Sequence, residues 1–305
     1  MSKAIALING KVLDPKTKRI ERQNILIQGG KVSGIGYVPD EDEDKLDIIQ
    51  LKSDHLIVPG ILDLGPNFRE PGREDRETIS SGASAALKGG ITGVALSPKT
   101  VHPIDTPEKV DFVCNKAKGC GVNVYPIGAI TQGCEGDALA EMALMKESGA
   151  VAFSDHYSVE KTQVLKNAMT YASLIGMPII IGPAHGISDS GGVMNQGKMA
   201  TILGMKGVSA TAEVSMIESV LTLQSVTGAQ IHFSHVSTEK GLGLIIQAKT
   251  TGAAVTCGVS PMYFRFTEEN LSDYDPMLKV DPPLRTESDR AAILKGILNG
   301  EVDVI

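Results

Sequence analysis

The sequence predicts an α/β protein, a (β/α)₈ barrel of the TIM type preceded by a small β domain. From about residue 57 onward, short apolar segments alternate with helical patterns, and polar turns separate the two. Before that point, short strands follow one another without a helical segment between them. We therefore expect a small β-sandwich-like domain over residues 1–56 and the barrel over residues 57–305.

In the first domain, two glycine-containing dipeptides are typical of tight hairpin turns. Asn9-Gly10 separates Ala4–Ile8 from Lys11–Asp14, and Gly29-Gly30 follows the apolar segment Asn24–Gln28. The short spacing between these segments predicts a small antiparallel sheet.

The barrel region contains seven complete strand candidates and the start of an eighth. The eighth begins near Val302, so the printed chain ends where that strand starts, and two interpretations stay open. Either the chain continues in the full protein, or a partner covers the flank of the last strand. The seven strand candidates are Ile57–Leu64, Ile91–Ser97, Val122–Ile130, Ala150–Ser154, Pro178–Ile181, Gln230–Ser234 and Ala254–Val259. The helical candidates are Thr78–Lys88, Asp137–Lys146, Lys161–Leu174, Ala210–Thr227 and Lys240–Lys249.

Composition and charge narrow the possible functions. A hydrophobic fraction of 42% and a charged fraction of 21% are typical of globular proteins. The formal charge of −7 argues against nucleic-acid and anionic-membrane partners. No apolar segment reaches the roughly 20 residues of a transmembrane helix, and the N-terminus lacks the pattern of a signal peptide. The four cysteines form no C-x-x-C pair, which favours reduced thiols and a cytoplasmic protein.

The segment from Val58 to Gly72 carries the most specific motif. An apolar strand ends at Asp63, and Arg69-Glu70-Pro71-Gly72 follows shortly after it. This segment resembles the first barrel strand of the dihydroorotases, metal-dependent cyclic amide hydrolases of the amidohydrolase superfamily. In that family the strand continues into Asp-x-His-x-His-x-Arg-Glu-Pro-Gly, and the two histidines bind zinc. Here those two positions are Gly65 and Asn67, so the resemblance implies that two metal ligands are lost.

The resemblance extends to further metal positions. Asp155, in Phe153-Ser154-Asp155-His156, matches a carboxylate that can bind metal in this family, and His235, in His-Val-Ser-Thr, matches a metal histidine. Gly182 stands where the family has another zinc histidine, and His185 lies three residues further along. Strand alternation predicts that His232 points away from the barrel interior, opposite to His235.

Three positions correspond to substrate contacts of the family. Arg69 matches the arginine that fixes the substrate carboxylate, although it could instead bond loop carbonyls or Glu70. Lys99 and Asp281 replace two asparagines that contact substrate, and both changes alter charge and hydrogen bonding. The catalytic aspartate of the family follows strand eight, so we assign no catalytic residue within this chain.

Three functional hypotheses follow from these residues. The first is a dihydroorotase-like protein of pyrimidine biosynthesis without zinc or activity, with a structural or regulatory role. The resemblance then implies aspartate carbamoyltransferase, or further copies of this chain, as the partner.

The second hypothesis is an active dihydroorotase with a rebuilt zinc site. Its candidate ligands are Asp155, His156, His185 and His235, with Asp63 nearby, and their donor atoms must converge within about 5 Å. The third is a metal-free protein in which Arg69 and Lys99 bind an anionic pyrimidine precursor.

Overall fold

A computed structural model describes residues 3–36, 46–182 and 191–305 of the chain. The chain divides into two compact units, Met1–Ile61 and Leu62–Ile305. Among the described residues, no helix is long and apolar enough to cross a membrane.

The first unit is one five-stranded mixed sheet. Its strands are β1 (Ala4–Asp14), β2 (Arg19–Gln28), β3 (Lys31–Ile35), β4 (Leu46–Gln50) and β5 (Leu56–Ile57). The order is β3-β2-β1-β4, and β5 pairs with another part of β1. β1, β2 and β3 are antiparallel, whereas β4 and β5 run parallel to β1. The predicted antiparallel pairing is therefore confirmed for β1, β2 and β3. The described strands form one sheet rather than the expected sandwich, and the parallel pairing of β4 and β5 was not predicted, because turn motifs indicate hairpins but not parallel crossovers.

The two predicted turns of this unit have different outcomes. Gly29 and Gly30 have positive φ angles of 59° and 75° and connect β2 to β3, which confirms the hairpin. Asn9-Gly10 is instead a bulge inside the continuous strand β1, with Asn9 at φ 63° and a register shift between Leu7 and Gly10. A Cβ at Gly10 would lie 2.7 Å from Leu51 Cδ1, so a larger residue at this bulge would displace the ends of neighbouring side chains.

The second unit contains a seven-stranded sheet with helices between successive strands. Neighbouring strands follow the chain order, and the pairings from β7 to β14 are parallel. All seven predicted strands are present, although each is shorter than predicted. Val304 forms a single parallel bridge with Gly258, beside the last strand. The strands of the sheet are β6 (Ile61–Leu64), β7 (Ile91–Leu96), β8 (Asn123–Gly128), β9 (Ala152–Phe153), β10 (Ile179–Ile181), β13 (Ile231–Phe233) and β14 (Val255–Cys257), and a separate pair is formed by β11 (Met194–Asn195) and β12 (Gly207–Val208).

The bounds of the helices agree closely with the predicted segments where the helical pattern in the sequence is strong. The helix Ala210–Thr227 has the predicted bounds, and four others lie within or near their predicted segments. Pro107–Lys116 was not predicted, and the third helix begins at Met142 rather than Asp137. The helices are α1 (Ile79–Lys88), α2 (Pro107–Lys116), α3 (Met142–Glu147), α4 (Thr162–Leu174), α5 (Lys198–Leu203), α6 (Ala210–Thr227), α7 (Glu239–Thr250), α8 (Pro261–Arg265) and α9 (Glu287–Leu298). Three 3₁₀ turns complete the described structure: Gln132–Cys134, Glu268–Asp273 and Pro276–Leu278.

The two faces of the seven-stranded sheet are both apolar. Ile179, Ile181 and Phe233 are buried in the large cluster shared with the helices. On the other face, Ala95, Ile127 and Ala152 pack with half-buried neighbours in a small cluster of their own. A parallel sheet that is buried on both faces places its functional side chains at the carboxyl ends of its strands.

Candidate functional site

A cavity of about 180 Å³ lies at the carboxyl ends of the strands. Gly65 follows β6, Ser97 follows β7, and His235 follows β13, so three strand ends contribute to one cavity. Asp281 also lines it and accepts a hydrogen bond from the Tyr157 hydroxyl at 3.2 Å. The predicted positions Gly65, His235 and Asp281 are therefore neighbours in space.

His235 is the principal titratable group of this cavity. Part of its surface is open, but the surrounding protein lowers its pKa, and the charges of Asp281 and Asp63 act in the opposite direction. Burial raises the pKa of Asp63, and the charge of His235 partly offsets this effect. The cavity therefore combines an imidazole biased toward its neutral form with nearby carboxylates, which suits hydrogen bonding to a small polar ligand.

His232 also lines the cavity, so the prediction that it points outside the barrel was wrong. Its strand neighbour across the sheet is Ile180, which lines the same cavity. The prediction failed because β13 ends at Phe233 and His235 has a positive φ of 57°, so strand alternation does not extend to position 235. His232 Nδ1 lies 2.9 Å from the Thr256 hydroxyl oxygen, and burial lowers its pKa to about 4.

The residues after β6 do not fit a zinc ion. Gly65 has no donor side chain, and its φ of 99° favours glycine. Both ends of the Asn67 amide bond the backbone: Nδ2 donates to the Lys99 carbonyl at 2.6 Å, and Oδ1 accepts from the Arg69 N–H at 2.9 Å. Asn67 therefore joins two turns, and both polar atoms of its amide are already bonded to the backbone.

The position after β10 is closed by the backbone. A Cβ at Gly182 would overlap the carbonyl oxygen of His156 and lie 3.1 Å from the Tyr157 nitrogen. His156 itself has a positive φ of 72°. The space that a histidine at position 182 would need is therefore filled by the main chain that follows β9.

The carboxylate of Asp155 is likewise engaged by the backbone. It is 5% exposed and accepts hydrogen bonds from Ile130 N at 2.8 Å, from Thr131 N at 3.0 Å and from the Thr131 hydroxyl. Burial raises its pKa, and these hydrogen bonds act against the shift. Asp155 lines a second cavity of about 200 Å³ rather than the one that contains His235, although Tyr157 borders both.

Within residues 3–36, 46–182 and 191–305, no three His, Cys, Asp or Glu side chains converge in a way that could hold a metal ion. Zinc sites in proteins need three or four donors at about 2.0–2.3 Å. His185, one of the candidate ligands, lies outside the described residues. The donors at the described positions thus do not fit the zinc that the sequence resemblance implies.

Comparisons with known proteins place this chain in a family. A family model described as Dihydro-orotase-like matches residues 54–241. The dihydroorotase of Pelotomaculum thermopropionicum is 42% identical over 302 residues, which cover 97% of this chain and 69% of that protein. The dihydroorotase of Acetivibrio thermocellus is 39% identical over 298 residues, with 97% and 69% coverage. The chain belongs to the dihydroorotase-like family.

Solved structures support the same fold for this dihydroorotase-like chain. The L-hydantoinase of Arthrobacter aurescens superposes with a TM-score of 0.80 at 23% identity, covering 98% of this chain and 68% of that one. At this identity the likeness concerns the fold alone.

The three positions that the sequence resemblance predicts to contact substrate separate in this structure. Asp281 lines the His235 cavity, whereas Arg69 and Lys99 line a different cavity of about 540 Å³. The Arg69 side chain is exposed and bonds neither Glu70 nor a loop carbonyl among the described residues. Glu70 is buried and instead pairs with Lys116 at 3.2 Å and accepts from the Ile79 N–H at 2.7 Å.

The loop that carries His235 is held by a buried polar network whose members our sequence interpretation did not identify. Glu213 accepts hydrogen bonds from the backbone and hydroxyl groups of Ser237 and Thr238, at 2.5 to 3.3 Å. Arg285 donates to the Ser237 hydroxyl at 3.0 Å and to the Asn195 Oδ1 at 2.8 Å. Arg285 and Glu213 lie far apart in the sequence, so their contact could not be predicted from it.

Proposed function

We propose that this chain is a cytoplasmic dihydroorotase-like protein of pyrimidine biosynthesis that lacks catalytic zinc and dihydroorotase activity. The observation that carries the proposal is the donor set at the strand ends. Gly65 and Gly182 offer no ligand, Asn67 is bonded to backbone at both ends of its amide, and the His156 carbonyl fills the space beside Gly182. Without convergent ligands, the site has no means to lower the pKa of a metal-bound water.

A structural or regulatory role is supported by the intact packing around this altered site. The helices and the seven-stranded sheet share one large buried cluster, in which Leu96, Ile179 and Phe233 are at most 1% exposed. A large-to-small change at such positions costs about 2–5 kcal/mol, so unconstrained drift would have damaged the core as well.

We also infer that residues 302–305 begin an eighth barrel strand, which the bridge between Gly258 and Val304 supports.

We propose aspartate carbamoyltransferase as the partner, because the resemblance implies such assemblies for inactive members of the family, with self-association as the other outcome. Native mass spectrometry of this chain, alone and mixed with the aspartate carbamoyltransferase of the same organism, distinguishes the two. A mixed complex supports the proposed partner. Particles that contain only this chain, with or without the enzyme, contradict it.

The decisive experiment for inactivity measures zinc and catalysis on the same sample. The purified protein is analysed by inductively coupled plasma mass spectrometry and assayed for dihydroorotate hydrolysis, beside the Pelotomaculum thermopropionicum dihydroorotase as the positive control. We expect far less than one zinc per chain and no turnover above background. Stoichiometric zinc together with turnover would refute the proposal and favour a rebuilt metal site in an active dihydroorotase.

A further inference from the structure

A cleft of about 260 Å³ lies between the start of α4 and the middle of α6. Its floor is apolar, and Leu165 and Val220 are at most 3% exposed. Among the described residues that line it, Glu160 is the one charged side chain. None of the metal or substrate positions named above lines the cleft, and it shares no lining residue with the cavity that contains His235. It is therefore a separate concave surface of the second unit.

The helix α4 begins at this cleft without a cap. Lys161 stands at the cap position and supplies no capping hydrogen bond, and the first turn contains no acidic residue. The first N–H with a main-chain acceptor belongs to Leu165, which bonds the Lys161 carbonyl at 3.0 Å. Within the described ranges, the N–H groups of Thr162, Gln163 and Val164 donate to no acceptor. Free N–H groups at the positive end of a helix dipole favour an anion.

Ser158 places a buried hydroxyl group at the same cleft. The residue is 8% exposed, and its side chain makes no hydrogen bond with any described residue. A buried hydroxyl without a partner is unfavourable, and an acceptor oxygen in the cleft would remove that cost. Thr162 and Ser219 line the cleft as well, so two further hydroxyl groups lie around it. An uncapped helix and an unpaired buried hydroxyl thus border one small space.

We propose that this cleft binds a small monocarboxylate with an apolar body, an aromatic or short-chain aliphatic acid. The carboxylate accepts hydrogen bonds from the N–H groups at the start of α4 and from the Ser158 hydroxyl. The apolar body packs against Leu165, Met216 and Val220.

The charge of the lining determines the class of anion. No described Lys or Arg lines the cleft, and the Glu160 carboxylate lies among the lining residues. A phosphate or dicarboxylate would bring a second negative charge close to Glu160 without a cation to offset it. A volume near the lower end of the roughly 300–1,000 Å³ of small-molecule sites also favours a small ligand.

Backbone amide signals of the ¹⁵N-labelled full chain report binding at this cleft directly. Sodium benzoate and sodium hexanoate are titrated at constant ionic strength, and benzamide serves as the uncharged analogue of benzoate. We expect saturable shifts of the Thr162, Gln163 and Val164 amide signals with at least one of the two acids. The Kd of benzamide should be at least about tenfold weaker, because it lacks a charged acceptor.

Two substitutions test the groups that are expected to bind the carboxylate. Ser158→Ala should weaken binding of the tighter acid by about tenfold, the loss of one hydrogen bond to a charged group. Urea denaturation should show the free variant to be at least as stable as the wild type, because the hydroxyl has no partner there. Gln163→Glu adds a carboxylate to the first turn of α4, which stabilises the helix but repels a bound anion. It should weaken binding by about two- to fivefold in a protein that folds as well as the wild type.

The matched control is Gln247→Glu, which adds the same charge at an exposed position of α7 outside the cleft. It should bind as the wild type does. Binding of benzoate alone, or of hexanoate alone, supports the site and identifies the shape of its apolar body. No saturable shift with either acid, equal affinity for benzamide, or an unchanged Kd in both Ser158→Ala and Gln163→Glu overturns the proposal. The readout involves neither zinc nor turnover, so its result stands apart from the test of inactivity.

Discussion

At Gly182, the main chain of His156 occupies the space that a side chain would need. A position at which a side chain had only been truncated would keep an empty space that a reverse substitution could refill. Here the carbonyl of His156, a residue with φ 72°, fills that space instead. A side chain at position 182 would have to displace backbone, which yields far less readily than a flexible side chain.

We expect Gly182→His to destabilise the protein without restoring zinc binding. Overpacking against backbone should lower the free energy of unfolding by about 3 kcal/mol or more. The measurement is urea denaturation, followed by zinc analysis of the folded variant. Gly243→His is the matched control, because Gly243 lies on the exposed face of α7 with nothing within 4 Å of its Cβ position. The control should change stability by less than about 0.5 kcal/mol. Zinc uptake by Gly182→His at wild-type stability would contradict the steric argument.

His232 gives an expected pH dependence of stability. Its pKa is about 4 in the folded protein, against 6.5 for an ordinary histidine, because burial disfavours the charged ring. Between these two pKa values the unfolded chain binds more protons than the folded one. The contribution of His232 to the free energy of unfolding is therefore complete above pH 6.5 and is lost as the pH is lowered toward 4. The loss should be on the order of 3 kcal/mol across this window.

The variant His232→Asn isolates this contribution, because an amide can keep the contact with Thr256 but does not titrate. Free energies of unfolding from pH 7 to pH 4 should fall less steeply in the variant than in the wild type. The charged neighbours Asp303, Lys249 and His235 are present in both proteins, so their contributions largely cancel. Parallel pH profiles would show that His232 is not the titrating group.

The sequence shows which residues stand where the resemblance implies metal ligands, namely Gly65, Asn67 and Gly182. It does not show how these residues and their neighbours are bonded. That Asn67 joins two turns, and that His232 faces the cavity, depends on the backbone angles of Arg69 and His235, both with positive φ. Such angles are rare for these residue types, and local sequence does not specify them.

At the scale of elements, α6 supports the loop that carries His235. Glu213, near the start of this helix, is 5% exposed and accepts hydrogen bonds from both Ser237 and Thr238. Arg285, 4% exposed, approaches the same carboxylate at 4.0 Å and reaches Asn195 on β11. One buried network thus joins the helix α6, the loop after β13 and the strand β11.

We expect Glu213→Ala to destabilise the protein by about 3–5 kcal/mol, because it leaves the buried Arg285 charge without its carboxylate. Chemical denaturation measures the change. Glu218→Ala on the exposed face of the same helix makes the same substitution without a buried contact, and should cost less than about 0.5 kcal/mol. Similar effects of the two variants would mean that the network contributes little.

The bounds of an element were predicted correctly where a helical pattern extends over many residues. They were predicted poorly where pairing with a distant strand determines the structure. The bounds of α6 follow from 18 residues of sustained helical pattern. The strands β9, β11 and β12 have only two residues each, which are too few to show a periodic pattern. Of these, β9 was predicted as part of a longer apolar segment, and β11 and β12 were not predicted. The bulge at Asn9 was predicted as a turn because both features favour a positive φ.

At the scale of the whole molecule, the described residues offer apolar packing, and no convergent metal site, as a source of stability. The described donors form no convergent metal site, while the sheet and helices bury a continuous apolar cluster. A zinc ion held at 1,000 times its dissociation constant would stabilise the folded chain by about 4 kcal/mol. A metal-dependent barrel therefore loses a measurable part of its stability when its metal is withdrawn.

We expect exhaustive chelation to leave the thermal stability of this protein unchanged. In differential scanning calorimetry before and after treatment with a chelating resin, the Tm should shift by less than about 1 °C, whereas loss of a tightly bound ion should lower it by roughly 8 °C or more. The protein recovered from the resin is also analysed for zinc, so that a metal too tightly bound to be removed is still detected. A large fall in Tm with stoichiometric release of zinc would mean that ligands other than the described residues complete a site. In that case the packing of the sheet and helices would not account for the stability of the chain.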